Sequence, residues 1–380
     1  MTDPRTAPPE SAPQPRYTPL RERHEALGAS FTDFGGWAMP VRYSSDLAEH
    51  HAVRTAAGLF DISHMAEFFV SGTGAAEYLD YALAGRLSTM ALGRAKYSLV
   101  LDHTGGIIDD VIVYRLGDER FLVIANAGNR DPVAVALAER ATGRPVEVLD
   151  GTDDYSLIAV QGPLARAVLD ATPGLGEFDH PLDQLKYYAA VAASFLLHPV
   201  LVARTGYTGE DGYELLVPNA SAGALWDALL AAGRPLGLVP AGLAARDTLR
   251  LEAGMPLYGH ELSLDIVPAQ AGLGRAVAAD KADFVGRAGL ASVVATDASV
   301  LVGLVSAGKR AGRAGYAVMD ADTPVGEVTS GALSPTLGHP IAMAFVAPSM
   351  SAPGTELCID VRGTRIPATV TALPFYRRTT

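Results

Sequence analysis

The sequence predicts an α+β protein that ends in an all-β unit. Two observations carry that expectation. From Tyr17 to about Asp280, strand-like and helix-like patterns alternate irregularly. From Leu301 onward only short β-rich runs remain, parted by turn residues at the spacing of a barrel or sandwich. With 380 residues, 49% of them hydrophobic, the chain has room for two or three domains and a sizeable core.

The elements follow in chain order. Residues 1–16, "MTDPRTAPPESAPQPR", read as a disordered tail rich in Pro, Ser and charge. It has no apolar core for a signal peptide and too many acids for a transit peptide. Residues 17–280 carry two α+β lobes. "SGTGAAEYLDYAL" is a turn leading into a helix. "GGIIDDVIVYR" (105–115) is a strand opened by a Gly-Gly turn. "RFLVIANAGNR" is a buried strand that ends in a polar loop with Asn126 at its tip. "DPVAVALAERAT" has helical amphipathic spacing. "DYSLIAVQGPLARAVLDAT" is a strand, a Gly-Pro break and a helix. "VARTGYTGEDGYELLVP" is a pair of strands around a Gly-rich loop. "SAGALWDALLAAG" and "GLAARDTLRLEAGM" are helices ended by Gly. Residues 281–299 read as a linker. Residues 300–378 hold the β runs "LVGLVSA", "AGYAVMD", "PVGEVTSGALS", "IAMAFVA", "ELCIDVRG" and "TRIPATVTAL".

Composition excludes several functions. A net charge of −12 argues against nucleic acid and anionic membrane as partners. The single cysteine, Cys358, allows no internal disulfide and reads as structural. The most apolar run, "YYAAVAASFLLHPVLVA", is broken by Ser194, His198 and Pro199 and is too short to span a bilayer. A soluble, cytoplasmic protein is expected. No metal is expected, because the His residues lack chelating intervals; His50 and His51 are neighbours and read as surface residues. "GLVSAGKR" (303–310) has Arg310 where a phosphate loop needs Ser or Thr. "GTGAAE" lacks the third Gly of a dinucleotide fingerprint, and no Gly-x-Ser-x-Gly elbow is present.

What remains is a set of charged residues in apolar settings. Asp109 and Asp110 interrupt a β-branched strand, where Asp is disfavoured and costly to bury unpaired. Alternation points them opposite ways: one towards water, the other with Ile108 and Ile112 towards core or pocket. In "YELLVP", Glu214 shares a strand face with Leu216, while Tyr213, Leu215 and Val217 take the other. Arg246 lies three residues from both Leu243 and Leu249, on an apolar helical stripe. Taken singly, each is as well explained by an ion pair or solvation. Met65 and Tyr97 read as core packing.

As a set, in order, these stretches resemble the glycine cleavage T-protein family, tetrahydrofolate-dependent aminomethyltransferases. The resemblance runs from Tyr17 to Arg378 through "TPLRERHEALGASFTDFGGWAMPVRY", "GLFDISHM", "GGIIDDVIV", "NAGN", "LIAVQGP", "RTGYTGEDGYELLVP", "GLAARDTLRLEAGMPLYGHEL", "VGEVTSGALSPTLG" and "PFYRR". It implies a three-lobed, ring-like fold with folate in the central opening and a β-barrel as the last lobe. It implies Asp110 as the acid beside the reacting pterin nitrogen. Asn126, Tyr207 and Glu214 would line the pterin site, Arg246 would lie at the folate site, and Met65, Tyr97, Ile112 and Tyr114 would form walls. Tyr376 would close the site. Relatives often carry an acid at Gln270 and an aromatic at Arg275, so the chain departs there.

The reaction so implied starts from an aminomethyl group on the sulfur of a lipoyl arm. Ammonia leaves, and the methylene joins tetrahydrofolate to give 5,10-methylenetetrahydrofolate. The partners implied are the lipoylated H-protein, with the P- and L-proteins of the same system. A carboxylate in a poorly hydrated pocket stabilises the positive charge that develops on the carbon and orients or deprotonates the attacking nitrogen. Glu214 would accept the amino and ring N–H donors of the pterin edge as a fork. Two alternatives stand beside this reading. One is a folate-dependent demethylase of another amine or sulfur donor. The other is a non-enzymatic folate-binding factor, whose kind carries a "KGCYxGQE"-like stretch where this chain has Gly206.

Overall fold

The computed structural model describes residues 15–292 and 298–378. Most of the expected tail therefore lies outside the described residues. Its last residue, Arg16, is packed: its backbone pairs with Gly36 and Ala38 at 2.9 Å each, and its guanidinium lies 4.1 Å over the Trp37 ring.

One lobe is a five-stranded antiparallel sheet in the order Ala95–Leu101, Ile107–Gly117, Arg120–Ala125, Ala66–Ser71, Glu147–Asp150. Helices Ala75–Ala82 and Arg130–Ala141 cover one face; Tyr78, Leu79, Val133 and Leu137 pack on Phe68, Val111 and Val123. The second lobe is a seven-stranded sheet in the order Leu175–Gly176, Ala190–Phe195, His198–Ala203, Gly212–Pro218, Tyr155–Gln161, Ala57–Asp61, Leu238–Pro240. Helices Ala165–Ala171 and Asn219–Gly233 cover its outer face, where Leu225, Trp226 and Leu229 meet Val160, Tyr213 and Leu215.

Each sheet thus hides one face under helices and has an apolar face left over. The two leftover faces bury each other. Phe60, Leu157 and Leu216 meet Tyr114, Leu122 and Ile124, with Ala245 and Leu249 of helix Leu243–Glu252 closing the side. Strand alternation is what makes this possible, since every second residue faces the partner sheet.

All six C-terminal runs become strands of one closed barrel: Val300–Ser306, Pro340–Val346, Thr323–Leu333, Ala317–Asp320, Glu356–Val361 and Thr364–Thr371. Val300–Ser306 pairs with both Pro340–Val346 and Thr364–Thr371, which shuts the ring. Closure removes the free edges of an antiparallel sheet. Cys358 is a free thiol on one of these strands.

The barrel is seated on helix Leu243–Glu252. Leu251 packs against Ala332, Ile341 and Met343. Glu252 accepts from the Thr336 backbone at 3.0 Å and the Thr336 hydroxyl at 2.7 Å. His50 corrects its sequence expectation here. It is fully buried, with its ring nitrogens 2.8 Å from the hydroxyls of Thr248 and Thr336, whereas His51 is exposed. Within the expected linker, Phe284 and Val285 are buried and Arg287–Ser292 is helical. Lys281 is buried too. Its ammonium donates to the carbonyls of Asp80, Leu83 and Gly85 at 2.5, 2.5 and 2.8 Å, satisfying groups at the end of helix Ala75–Ala82. Among the described residues no helix is long and apolar enough to cross a membrane.

Candidate active site

A cavity opens between the two facing sheets. Strand Ile107–Gly117 supplies one wall, and its register decides which residues enter. Ile112 lies opposite Tyr97 on one neighbour and Ile124 on the other, and Asp110 lies opposite Leu99. Asp110, Ile112 and Tyr114 line the cavity together with Tyr97 and Ile124. Asp109, Val111 and Val113 turn to the helical side and are buried.

Neither acid faces water, which corrects the expectation for Asp109. It is 0% exposed. Its charge is accommodated by N–H donors from the loop that follows the next strand. The Asn126 backbone N–H donates to Oδ2 at 2.8 Å, and the side-chain amides of Asn126 and Asn129 donate to Oδ1 at 2.8 and 2.7 Å. Asp110 accepts from the Tyr97 hydroxyl at 3.1 Å and from Asn126 Nδ2 at 2.8 Å. Burial raises the pKa of both carboxyls, and the neighbouring Asp110 charge raises that of Asp109 further.

The opposite wall carries Glu214 on strand Gly212–Pro218. It lies between Ala203 and Ala159 on the adjacent strands, and these small residues leave room around its carboxyl. Thr205 donates its hydroxyl to Glu214 at 2.6 Å, so the Tyr114 hydroxyl, 3.1 Å away, donates to Thr205. Burial raises the Glu214 pKa. Helix Leu243–Glu252 brings Arg246 to the same space, 4.8 Å over the ring of Tyr207. Tyr207 is pinned through its hydroxyl to the Pro256 carbonyl.

Of the residues singled out in the sequence, Met65, Tyr97, Asp110, Ile112, Tyr114, Asn126, Tyr207, Glu214 and Arg246 all line this cavity. Tyr376 is not brought to its wall. Its backbone N–H donates to Glu252 at 2.8 Å, its hydroxyl donates to Glu210 at 2.8 Å, and Arg54 stacks 4.0 Å from its ring. Gln270 is likewise away from the cavity. It joins the barrel instead, donating to the Ser299 carbonyl at 3.1 Å and accepting the Leu301 N–H at 2.8 Å.

Among the lining residues that the sequence reading did not single out, His64, Tyr188 and Thr205 stand out. His64 is 2% exposed, and its Nδ1 has no hydrogen-bond partner among the described residues. Burial, then the nearby Arg246 charge, hold its pKa down to about 4, so the ring is neutral. Tyr188 lines the cavity from a backbone with φ 58°, a conformation that non-Gly residues adopt at a cost. Thr205 links Tyr114 to Glu214. Only His64 left a signal, as a polar residue inside the apolar run "GLFDISHM".

Carboxyls on two facing walls, a cation stacked on an aromatic ring and apolar surfaces between them make this cavity the candidate active site. The comparisons name its kind. Residues 20–281 match the GCVT N-terminal domain and residues 300–377 the glycine cleavage T-protein C-terminal barrel domain. An aminomethyltransferase of Cutibacterium acnes is 56% identical, covering 96% of this chain and 99% of its own. One from Streptomyces avermitilis is 53% identical over 97% and 99%. The crystal structure of glycine cleavage system aminomethyltransferase T from Bartonella henselae superposes with a TM-score of 0.86 at 37% identity, over 95% of this chain and 98% of that one. The chain belongs to the glycine cleavage T-protein family and is an enzyme of the aminomethyltransferase class.

Proposed function

We propose that this enzyme moves the methylene of an aminomethyl group, carried on the sulfur of a lipoylated carrier protein, onto tetrahydrofolate, with release of ammonia. One observation supports the folate reading most directly. Asp110, Asn126, Glu214 and Arg246 share one cavity with Tyr97, Tyr114 and Tyr207, although they come from separate strands, a loop and a helix. Core packing alone gives no reason to gather an Arg that has no ion pair among the described residues and two carboxyls of raised pKa on apolar walls.

In this reading Glu214 accepts the N–H donors of the pterin edge, as the Thr205 and Tyr114 hydroxyls hold it in place. Asn126 offers its amide oxygen to the same ring. Arg246, stacked on Tyr207, meets the acceptor or anionic groups of the ligand. Met65 and Ile112 form apolar walls that exclude water from the transferring carbon. Asp110 is held by Tyr97 and Asn126 where positive charge develops on that carbon. Its carboxylate stabilises the charge and takes the proton that the attacking nitrogen gives up. Ammonia departs with the electron pair of its carbon–nitrogen bond, the carbon–sulfur bond opens to return a thiol, and two carbon–nitrogen bonds to tetrahydrofolate form. The H-, P- and L-proteins of a glycine cleavage system are the partners this chemistry calls for, and a cytoplasmic setting suits it.

The rival of a non-enzymatic folate-binding factor meets a steric obstacle. A Cβ on Gly206 would come within 1.9 Å of Gln161 Oε1. That Gln is itself fixed, donating to the Thr205 carbonyl at 3.0 Å and accepting from the Thr208 hydroxyl at 2.9 Å. A Cys there would displace a satisfied buried network. The test of the proposed function is a reconstituted assay with aminomethyl-lipoyl carrier and tetrahydrofolate, following ammonia and methylenetetrahydrofolate together. Equimolar formation of both is expected. Turnover of a free small amine donor, and none of the carrier, would favour the demethylase instead.

A further inference from the structure

Asp109 holds a carboxyl that the chemistry above does not use. It points away from the cavity, yet it is bound into the same hydrogen-bond cluster as Asp110. The link is Asn126. The two hydrogens of its amide go to the two acids, one to Asp109 Oδ1 and one to Asp110 Oδ1, at 2.8 Å each. An amide placed between two carboxyls has one workable orientation, because turning it over would set its oxygen against both acids. Its Oδ1 accepts no hydrogen bond from any described residue and is not sealed off by protein, in a side chain that lines the cavity. The Asn126 backbone N–H and Asn129 Nδ2 anchor Asp109 from behind, at 2.8 and 2.7 Å.

We propose that Asp109 is a positioning residue: it sets the amide of Asn126 so that Nδ2 braces Asp110 and Oδ1 is presented to the cavity as a fixed acceptor for a ligand N–H. This rests on the proposed function, since the ligand N–H is that of the pterin. It also explains why the strand carries two acids where the chemistry uses one. A single acid would hold only one of the two amide hydrogens and leave the side chain free to swing about that one bond, whereas two acids fix both hydrogens and with them the direction of Oδ1. With Asp109 present, the acceptor faces the ligand in the free enzyme and no reorientation is needed when the ligand arrives.

Asn at position 109 keeps the shape and breaks the logic. Three N–H donors converge on that side chain. Asn offers them one oxygen and turns an amino group on the rest, so the Asn126 amide must rotate. Asp109→Asn is therefore expected to raise the KM for tetrahydrofolate by about tenfold, the scale of one hydrogen bond to a charged or well-aligned group, and to lower kcat as Asp110 loses its brace. The decisive measurement is a double-mutant cycle with Asn126→Ala, reading kcat and KM with aminomethyl-lipoyl carrier and tetrahydrofolate. If Asp109 acts through Asn126, then Asp109→Asn in the Asn126→Ala background costs less than about threefold, a strongly non-additive result. Additive losses would overturn the inference, because Asp109 would then act independently of Asn126; so would an Asp109→Asn variant that melts at a lower temperature with its KM unmoved, the mark of a merely structural acid. Should Asp109→Asn fail to fold, Asn129→Ala replaces it, because it loosens Asp109 while sparing both Asn126 and Asp110. A severalfold rise in KM supports the proposal, and an unchanged KM overturns it. A wild-type enzyme that forms no methylenetetrahydrofolate would instead remove the reading on which the inference rests.

Discussion

Arg246 lies 4.8 Å over the ring of Tyr207, and no carboxylate among the described residues comes within ion-pairing distance of it. The contrast within the same helix is informative. Arg250, one turn further on, pairs with Asp247 at 2.7 Å and Glu261 at 3.1 Å. A partly buried guanidinium without an acid is costly to keep, and burial lowers its pKa. The fold tolerates it on an aromatic face, where cation–π attraction returns part of the cost.

Arg246→Met should therefore separate binding from stability. The variant removes a desolvated cation and fills the space with an apolar chain, so the melting temperature should stay level or rise. Tetrahydrofolate affinity, measured by calorimetry, should fall by about tenfold or more, as expected for a lost charged hydrogen-bond donor. A drop of several degrees with normal affinity would mean that Arg246 is structural.

Tyr376 gives the opposite expectation. Its hydroxyl reaches Glu210 and its ring covers Arg54, away from the cavity wall. Tyr376→Phe should cost about 1 kcal/mol of stability, the worth of one hydrogen bond, seen as a shift in denaturant midpoint. The KM for tetrahydrofolate should change by less than about twofold on the same scale. A larger rise in KM would show that this residue moves to the site when ligand binds.

Much of this arrangement is legible in the sequence. Asp110 and Glu214 stand out because carboxylates are out of place among β-branched residues, and strand alternation sends both to a face that another sheet covers. Arg246 stands out because helical spacing places it between leucines. What stayed hidden depends on distant partners. His50 looks like a surface neighbour of His51 until Thr248 and Thr336, 198 and 286 residues away, close over it. Alternation sets Asp109 and Asp110 on opposite faces and the family resemblance selects Asp110 for the cavity, but nothing local says that Asn126 and Asn129 wait for Asp109 on the other side. The positive φ of Tyr188 has no sequence signal at all.

Glu67 offers a test by pH. It is 0% exposed, and neither carboxylate oxygen has a hydrogen-bond partner among the described residues. Burial, then repulsion from Asp150, push its pKa well above the ordinary value of 4.5. The folded state therefore holds this proton more tightly than the unfolded chain. Between the unfolded pKa and the raised folded one, stability must fall as pH rises, by about 1.4 kcal/mol per pH unit from this group alone. Glu67→Gln should remove that component. Unfolding free energies of wild type and variant should diverge in favour of the variant from pH 5 towards pH 8. Parallel curves would mean that Glu67 is ionised in the folded protein.

Asp110 carries the sharpest expectation. It is the only one of the adjacent acids that lines the cavity, and it is held there by Tyr97 at 3.1 Å and Asn126 at 2.8 Å. Asn in its place keeps the shape. Its oxygen still accepts from Asn126, and its amino group can donate to the Tyr97 hydroxyl, which reverses its own bond. Asp110→Asn should therefore fold and bind tetrahydrofolate within a few-fold of wild type. It should lose about a hundredfold or more in kcat, the scale of a missing acid–base or electrostatic group. The pH profile sharpens the point. Burial raises the Asp110 pKa, and the working form is the carboxylate. The wild-type rate should thus climb with pH through a value raised from that of an ordinary Asp and then level off. The residual rate of Asp110→Asn should lack that acid limb. Methylenetetrahydrofolate formation from pH 5 to 8, with folate binding as the control, decides it. If the variant kept both its rate and the limb, the charge that steers the transfer would have to come from another group on the cavity wall, with Glu214 the remaining carboxylate there.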